Sequence, residues 1–383
     1  MAILAEGGQA MIRKPIVFLS SHHGVGASES LWLETAARLA EQGVPVKAGV
    51  TWASLNMDRL APLTQTGVKV LHFEQTSLLR RLQRKLRPGH DFEKAALSQL
   101  GDAALVLVSQ GNDHSALPWL EACQKLGLKA AVVTHGIVPS DWPNDRLGAR
   151  LRAIFPALAA SYWVSARNQA DFEMQIGARL PRGRVVWNPI KVPRDVSVPW
   201  PASSDVWRMA CVARLQTRPK GHDLILQALA LPHWRERALH LSFFGTGENR
   251  KGMEHLAAIL GISERVHFKG HVDGVQEIWR EHHLIVQPSR NEGMPLSLVE
   301  ALMCGRPALV TDVAGHAELI TDGENGFVAE AATVRHIDEA LQRAWDQREN
   351  WHTIGQAAAL RIRQQAPADP VNEFARQLVQ LAQ

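Results

Sequence analysis

Two glutamates, Glu292 and Glu300, stand with seven residues between them in SRNEGMPLSLVEALMCGRPALVTDVAGHAELI (Ser289–Ile320). The apolar run HHLIVQPS (His282–Ser289) predicts a buried parallel strand, and Leu298, Val299, Leu302 and Met303 recur at helical spacing after a glycine-bearing turn. A ligand of such a sheet sits beyond the carboxyl ends of its strands. Glu292 and Gly293 fall in that turn and would offer it a carboxylate and backbone N–H groups. Pro295 suits the first helical turn, where its missing N–H has no partner to lose. The helix start, with Gly293, Met294, Pro295 and Leu296, is then a candidate phosphate site. Glu300, further along the helix, can accept two hydrogen bonds from a vicinal diol. Taken singly, either glutamate reads as a solvated helix-end carboxylate favoured by the helix dipole.

A second constellation supplies cations. In VARLQTRPKGHDLILQAL (Val212–Leu229), Arg214 closes a predicted strand and Lys220 precedes Gly221 at a predicted helix start. Two cations and a helix N-terminus would grip a diphosphate. The loop HHGVGASES (His22–Ser30) also opens a helix, but it lacks G-x-G-x-x-G, and Trp52 rather than an acid ends the second strand, which argues against a dinucleotide cofactor. No D-x-D beside a strand and no histidine cluster at ligand spacing suggests a metal. Ester hydrolysis is discounted because no G-x-S-x-G elbow occurs.

Glu292, Gly293, Pro295, Glu300, Ala301, Gly305, Pro307, Thr311, Asp312, Gly315 and Glu318, followed by Asp322-Gly323-Glu324-Asn325-Gly326, stand in register with a known signature. The chain here resembles the retaining GT-B glycosyltransferases of glycosyltransferase family 4, strongly from about Val206 to Val328 and weakly before Ala160. The resemblance implies transfer of a hexose from a nucleotide diphosphate sugar, UDP- or GDP-linked, to a hydroxyl of a saccharide, lipid-linked or natural-product acceptor, with retention and without a metal. It implies that Arg214 and Lys220 bind the donor diphosphate and stabilise its developing charge, that Glu292 positions the sugar, and that His135 lines the reaction centre beside it. Gly245, in the G-x-G-x-E turn GTGENRKG, would close over the nucleotide, whose base would meet mainly backbone around Gly270–Val275. Gly26-Ala27-Ser28-Glu29 stands where the family has G-G-[AS]-E; Ala27 replaces the second glycine, which leaves Gly26 as the candidate against the donor phosphate. A GT-B epimerase or phosphorylase and a non-catalytic sugar-nucleotide binding protein are the alternatives. The latter predicts loss of Arg214, Lys220 or a glutamate, and all four are present.

The elements that must position these residues follow from composition and period. The 383 residues, 46% hydrophobic and 21% charged, suit two domains with large cores. Seven strand-like runs in the first half (15–21, 44–52, 68–74, 103–110, 129–136, 160–166 and 183–189) alternate with helices such as 28–42. The second half repeats the pattern with runs at 207–215, 239–245, 265–270 and 282–289 and ends in helices near 334–346, 351–365 and 371–381. This is the α/β pattern of two doubly wound, Rossmann-like domains. The expected boundaries are an acceptor-binding domain over 11–190, a proline- and serine-rich linker over 191–206, a nucleotide-sugar domain over 207–365 and a C-terminal segment, 366–383. By the resemblance, that last helix crosses back onto the first domain and the two domains face each other across a cleft. Acceptor contacts are expected from His22, His23, Asn112, Asp113, His114 and Trp142.

No apolar run nears the ~20 residues of a membrane span and no secretory leader is recognisable, so an intracellular protein is expected. Three scattered cysteines read as buried thiols, and most of the 12 tryptophans as core. The net charge of +4 conceals a cationic stretch, Ser77–His90, with Arg80, Arg81, Arg84, Lys85 and Arg87 and no acid. Its leucines fall on one helical face, so it reads either as a segment for an anionic membrane surface or as a solvated face docked on the core. Oligomeric state is not legible.

Overall fold

The computed structural model describes residues 12–21, 28–51, 58, 60–73, 92–202 and 205–383. Gly26, His22, His23 and the cationic stretch with Arg80, Arg81, Arg84, Lys85 and Arg87 lie outside these. The chain divides into two compact units, one formed by Met1–Pro189 with Asp369–Gln383, the other by Ile190–Ala368.

The first unit is built on a seven-stranded parallel sheet of order β3-β2-β1-β4-β5-β6-β7. Its strands are β1 (Ile16–Ser20), β2 (Val46–Val50), β3 (Val70–His72), β4 (Leu105–Gln110), β5 (Ala130–Thr134), β6 (Ala160–Trp163) and β7 (Gly183–Val185). Every residue of β1, β4, β5 and β6 is buried. Continuous apolar runs of this kind belong to strands covered by helices on both faces, which is why they read as unbroken rather than alternating sequence. The helix Ser28–Glu41 covers one face and carries Glu29 in its first turn and Arg38 in its last, charges that complement its dipole.

The last helix, Pro370–Ala382, packs on this same unit. Asp369 caps it by accepting from the Asn372 N–H at 2.9 Å, and Pro370 suits the first helical position. Its buried face, Val371, Phe374, Ala375 and Leu378, joins the core formed with Ile16, Phe18, Trp32 and Tyr162. Phe374 meets the Tyr162 ring edge-on at 4.9 Å. The end-to-start closure that the GT-B resemblance implied is thus made by an apolar stripe. The Arg38–Asp369 pair beside it is exposed and adds little.

The second unit holds a six-stranded parallel sheet of order β10-β9-β8-β11-β12-β13. These strands are β8 (Trp207–Val212), β9 (Leu239–Phe244), β10 (Val266–Gly270), β11 (Leu284–Gln287), β12 (Ala308–Thr311) and β13 (Gly326–Ala329). β12 and β13 are additions to the sequence reading: each is four residues long, β12 following Pro307 and β13 beginning at Gly326. Among residues 190–206, the described ones carry no strand or helix, yet they are bound to this unit through guanidinium groups. Arg363 donates to the carbonyls of Arg194 and Val196, at 2.7 and 2.8 Å. Arg306, 1% exposed, donates to the carbonyls of Trp279, His282, Cys304 and Pro199 and lies 5.0 Å from the Trp200 ring.

All three cysteines are free and buried, and among the described residues six tryptophan rings are fully buried, while Trp142 stands 64% exposed. No helix among the described residues is long and apolar enough to cross a membrane.

Candidate functional site

In each sheet the chain winds one way from a central strand and then returns to build the other side. The switch lies between β1 and β4 in the first unit and between β8 and β11 in the second. Ligands of open parallel sheets bind at such points, beyond the carboxyl ends of the strands. Arg214 lies two residues past β8, and Glu292 lies in the turn past β11. The two sequence constellations therefore meet at one switch point.

The loops there are locked by backbone contacts only glycine permits. A Cβ on Gly221, whose φ is +63°, would stand 1.9 Å from the Pro288 carbonyl oxygen; one on Gly245 would stand 2.1 Å from that of Ala213. The turn after β11 is bonded to the β8 loop, the N–H groups of Arg290 and Asn291 both donating to the Pro219 carbonyl at 2.8 and 3.1 Å. Leu215 N–H donates to Thr246 at 2.9 Å, which ties the β8 and β9 loops together. Lys220 precedes Gly221 at a helix start, as the sequence predicts. It ends a separate single turn, Thr217–Lys220, and left-handed Gly221 re-aims the chain into the helix His222–Leu229. The reason is the tight approach of Gly221 to Pro288, which a continuous helix would not allow.

Lys220 Nζ donates to Glu292 Oε1 at 2.7 Å, and Ser289 Oγ donates to the same oxygen at 2.8 Å. Burial pushes the Glu292 carboxyl up, but the charge of Lys220, then that of His316, and the hydrogen bonds from Lys220 and Ser289 outweigh it and hold the group below its ordinary value. Arg214 is exposed, and its guanidinium makes no ion pair among the described residues. Arg290, by contrast, is committed to Asp223 by a bidentate pair at 2.8 and 2.7 Å. Cations, a buried carboxylate and a helix start thus share one corner.

That helix, Leu296–Met303, has Pro295 as its N-cap rather than its first residue, and no side chain caps it. Its first N–H groups remain available to an anion. Met294 is buried beneath the turn, and the Gly315 N–H donates to the Gly293 carbonyl at 3.0 Å. Ala314, just before, adopts φ +43°, a conformation that favours glycine. Glu300 lies on the buried side of the helix; burial raises its carboxyl to about 7, against the charge and backbone N–H of Lys191. Sequence reasoning missed His316. It is fully buried at the start of the turn His316–Leu319, with Nδ1 3.0 Å from the Thr311 carbonyl and Nε2 3.0 Å from Gln287 Oε1. Its position in the motif interior, among glycines and acids, was the available signal.

At the switch point of the first unit hydroxyl and amide groups predominate. Ser21 Oγ bonds the Ser109 carbonyl at 2.9 Å and Ser115 Oγ at 3.0 Å, and Ser115 donates to Asp113 at 2.7 Å. Gln110 bridges Thr134 and the Ala116 N–H. His135 follows β5, half-buried, with Nε2 3.4 Å from Ser109 Oγ. Burial pushes the neighbouring His114 below its ordinary value, although Asp113 and Asp141 pull it up. Glu29 is 1% exposed and accepts from Trp32 Nε1 at 2.6 Å. Among the described residues no group of three or more His, Cys, Asp or Glu could hold a metal ion.

The family model of glycosyl transferases group 1 matches residues 197–361. The matched span lies within the second unit and contains Arg214, Lys220, Gly245, Glu292 and Glu300. The putative glycosyltransferase EpsD of Bacillus subtilis is 32% identical over 128 residues, 32% of this chain and 34% of that protein. The lipopolysaccharide glucosyltransferase WaaG of Escherichia coli is 35% identical over 130 residues, 33% of this chain and 34% of that protein. The chain spans about a third of the length of these curated relatives. The crystal structure of HepE from Anabaena in complex with UDP-glucose superposes with a TM-score of 0.73 over 96% of this chain and all of that one, at 17% identity. At that identity the likeness is one of fold, the GT-B fold.

Proposed function

We propose that the protein is a retaining glycosyltransferase that moves a hexose from a nucleotide diphosphate sugar to a hydroxyl of a saccharide-type acceptor, without a metal. The observation that carries this reading is the Lys220–Glu292 pair beside Arg214 at the switch point of the second sheet. A diphosphate seated on the start of Leu296–Met303 would meet the helix N–H groups, Arg214 and Lys220. Glu300 would accept from the ribose diol, and Gly245 would let the β9 loop close against the nucleotide. Glu292, fixed by Lys220 and Ser289, would hold the hexose hydroxyls, and His135 would contact the sugar. The C1–O bond to the diphosphate breaks as the acceptor oxygen bonds C1 on the same face. The acceptor's proton passes to the leaving phosphate oxygen, so no protein base is required. UDP-glucose, the ligand of the HepE complex, is the first donor to try, and the saccharide chemistry of WaaG suggests a glycan acceptor. The cationic stretch Ser77–His90 would hold the protein at an anionic membrane surface where a lipid-linked acceptor is presented.

Thermal unfolding in the presence of UDP, GDP, ADP, dTDP and CMP, with NAD as control, tests the reading. Stabilisation by one nucleoside diphosphate is expected, growing with ligand concentration. Stabilisation by NAD alone, or by none of them, overturns it.

A further inference from the structure

The Glu292 turn is backed by a chain of hydrogen bonds that the mechanism above does not use. His316 Nδ1 lies 3.0 Å from the Thr311 carbonyl, and a carbonyl can only accept, so this nitrogen carries a proton. His316 Nε2 lies 3.0 Å from the Gln287 amide, and the other end of that amide lies 2.7 Å from Ser297 Oγ. His316 and Gln287 are 0% and 2% exposed, so neither has solvent as an alternative partner. Ser297 is the second residue of the helix Leu296–Met303, at the end proposed for the diphosphate, and it is only half-buried.

Only two proton arrangements satisfy this chain. With a neutral imidazole, Nε2 accepts, Gln287 must turn its NH2 towards it, and the amide oxygen faces Ser297. The serine hydroxyl then donates backward to Gln287 and shows lone pairs to the phosphate. With an imidazolium, Nε2 donates to Gln287 Oε1, the amide NH2 donates to Ser297 Oγ, and the hydroxyl proton is free to point at a phosphate oxygen. Both arrangements fit the same heavy-atom positions, because the two ends of an amide are nearly isosteric.

We infer that His316 is a positioning residue for the donor diphosphate, acting through Gln287 to set whether the Ser297 hydroxyl donates to a phosphate oxygen. The inference rests on the diphosphate reading of this site. The charged groups facing His316 are Glu292 from the turn after β11, Lys220 from the Thr217–Lys220 turn and Asp312 from the loop after β12. Burial keeps the imidazole below its ordinary value in the free protein, with the two carboxylates opposing and Lys220 adding to the effect. An arriving diphosphate adds negative charge on the Ser297 side and favours the imidazolium, so binding takes up one proton from solvent.

The test measures UDP affinity by calorimetry between about pH 6 and pH 8, the range in which such a histidine changes charge, for wild type, Ser297→Ala, His316→Gln and the double variant. Protonation of UDP and of Glu300 is common to all four proteins and cancels in affinity ratios. Wild type should bind about tenfold more tightly than Ser297→Ala at the acid end and nearly equally at the alkaline end, the size of one charge-assisted hydrogen bond. His316→Gln should match Ser297→Ala throughout, and the double variant should be no weaker than either. A pH-independent ratio, or losses that add, overturns the inference. Should His316→Gln not fold, the imidazole 15N shifts of wild type decide: two protonated nitrogens with UDP are expected, and one bare nitrogen with and without UDP overturns it. Lys220→Ala separates the levels. UDP binding that ignores Lys220 defeats the diphosphate reading, whereas Lys220-dependent binding with a flat ratio defeats this inference alone.

Discussion

At the switch point of the first sheet, Ser21 bonds Ser115 and the Ser109 carbonyl, Gln110 bridges Thr134 and the Ala116 N–H, and burial keeps His114 towards its neutral form. At the switch point of the second, Lys220 and Glu292 form a pair with 19% and 6% of their side chains exposed, and Arg214 stands out in solvent. The two units share a doubly wound parallel design, but hydroxyl and amide groups dominate the switch point of one and a buried ion pair that of the other. Fold sets where a ligand sits; the polarity of a few loop residues sets which kind.

The comparison breaks most sharply at Lys220. Lys220→Ala strands the buried Glu292 carboxylate and should cost about 3 kcal/mol in urea unfolding as well as nucleotide binding; an unchanged midpoint would mean that the pair is not the keystone of that switch point. Phe374→Ala empties a buried site under the last helix and should cost a similar ~3 kcal/mol. Because it strikes the first unit, UDP affinity of the folded protein should not change, and a parallel loss of affinity would deny the separation of roles. Arg214→Ala, at an exposed side chain, should leave stability within ~0.5 kcal/mol and lower turnover with UDP-glucose by about 100-fold. Full turnover would remove Arg214 from the mechanism.

The smallest expected effect concerns pH. Glu300 has its carboxyl raised from an ordinary 4.5 to about 7, so between those values the folded protein binds a proton that the unfolded chain has released. Stability therefore falls as pH rises through that window. Glu300→Gln should flatten this slope in thermal unfolding at pH 5, 6 and 7, while weakening nucleotide binding. A slope equal to that of wild type would place the titration elsewhere.

Much of this was legible in the residues. Runs such as LVLVSQ and IVFLS announce two-face burial by their lack of alternation, and the helix Val334–Asp346 was readable from its period. β12 and β13 were not, because ALVT and GFVA are too short to outvote the glycines and prolines around them. The site was legible as a set of residue types, but not as contacts. Lys220 and Glu292 are 72 positions apart, and nothing in either neighbourhood says that they touch. The single turn ending at Lys220 was hidden for a related reason: Pro288, which forces the left-handed joint at Gly221, belongs to a different strand's exit loop. His316 was overlooked because its role depends on the polarity of Gln287 and Thr311, which only the fold brings within reach.

Arg306 bears on where the second unit can be cut. Its cation has no carboxylate partner among the described residues; its partners are the carbonyls closing two helices, together with that of Pro199. Arg363 likewise holds the carbonyls of Arg194 and Val196. A fragment begun at Trp207, where regular structure resumes, would strip acceptors from both guanidiniums and open their pockets to water. One begun at Ile190 keeps every acceptor. The irregular stretch is thus a strap that the unit wears, buckled by two guanidiniums rather than by a strand.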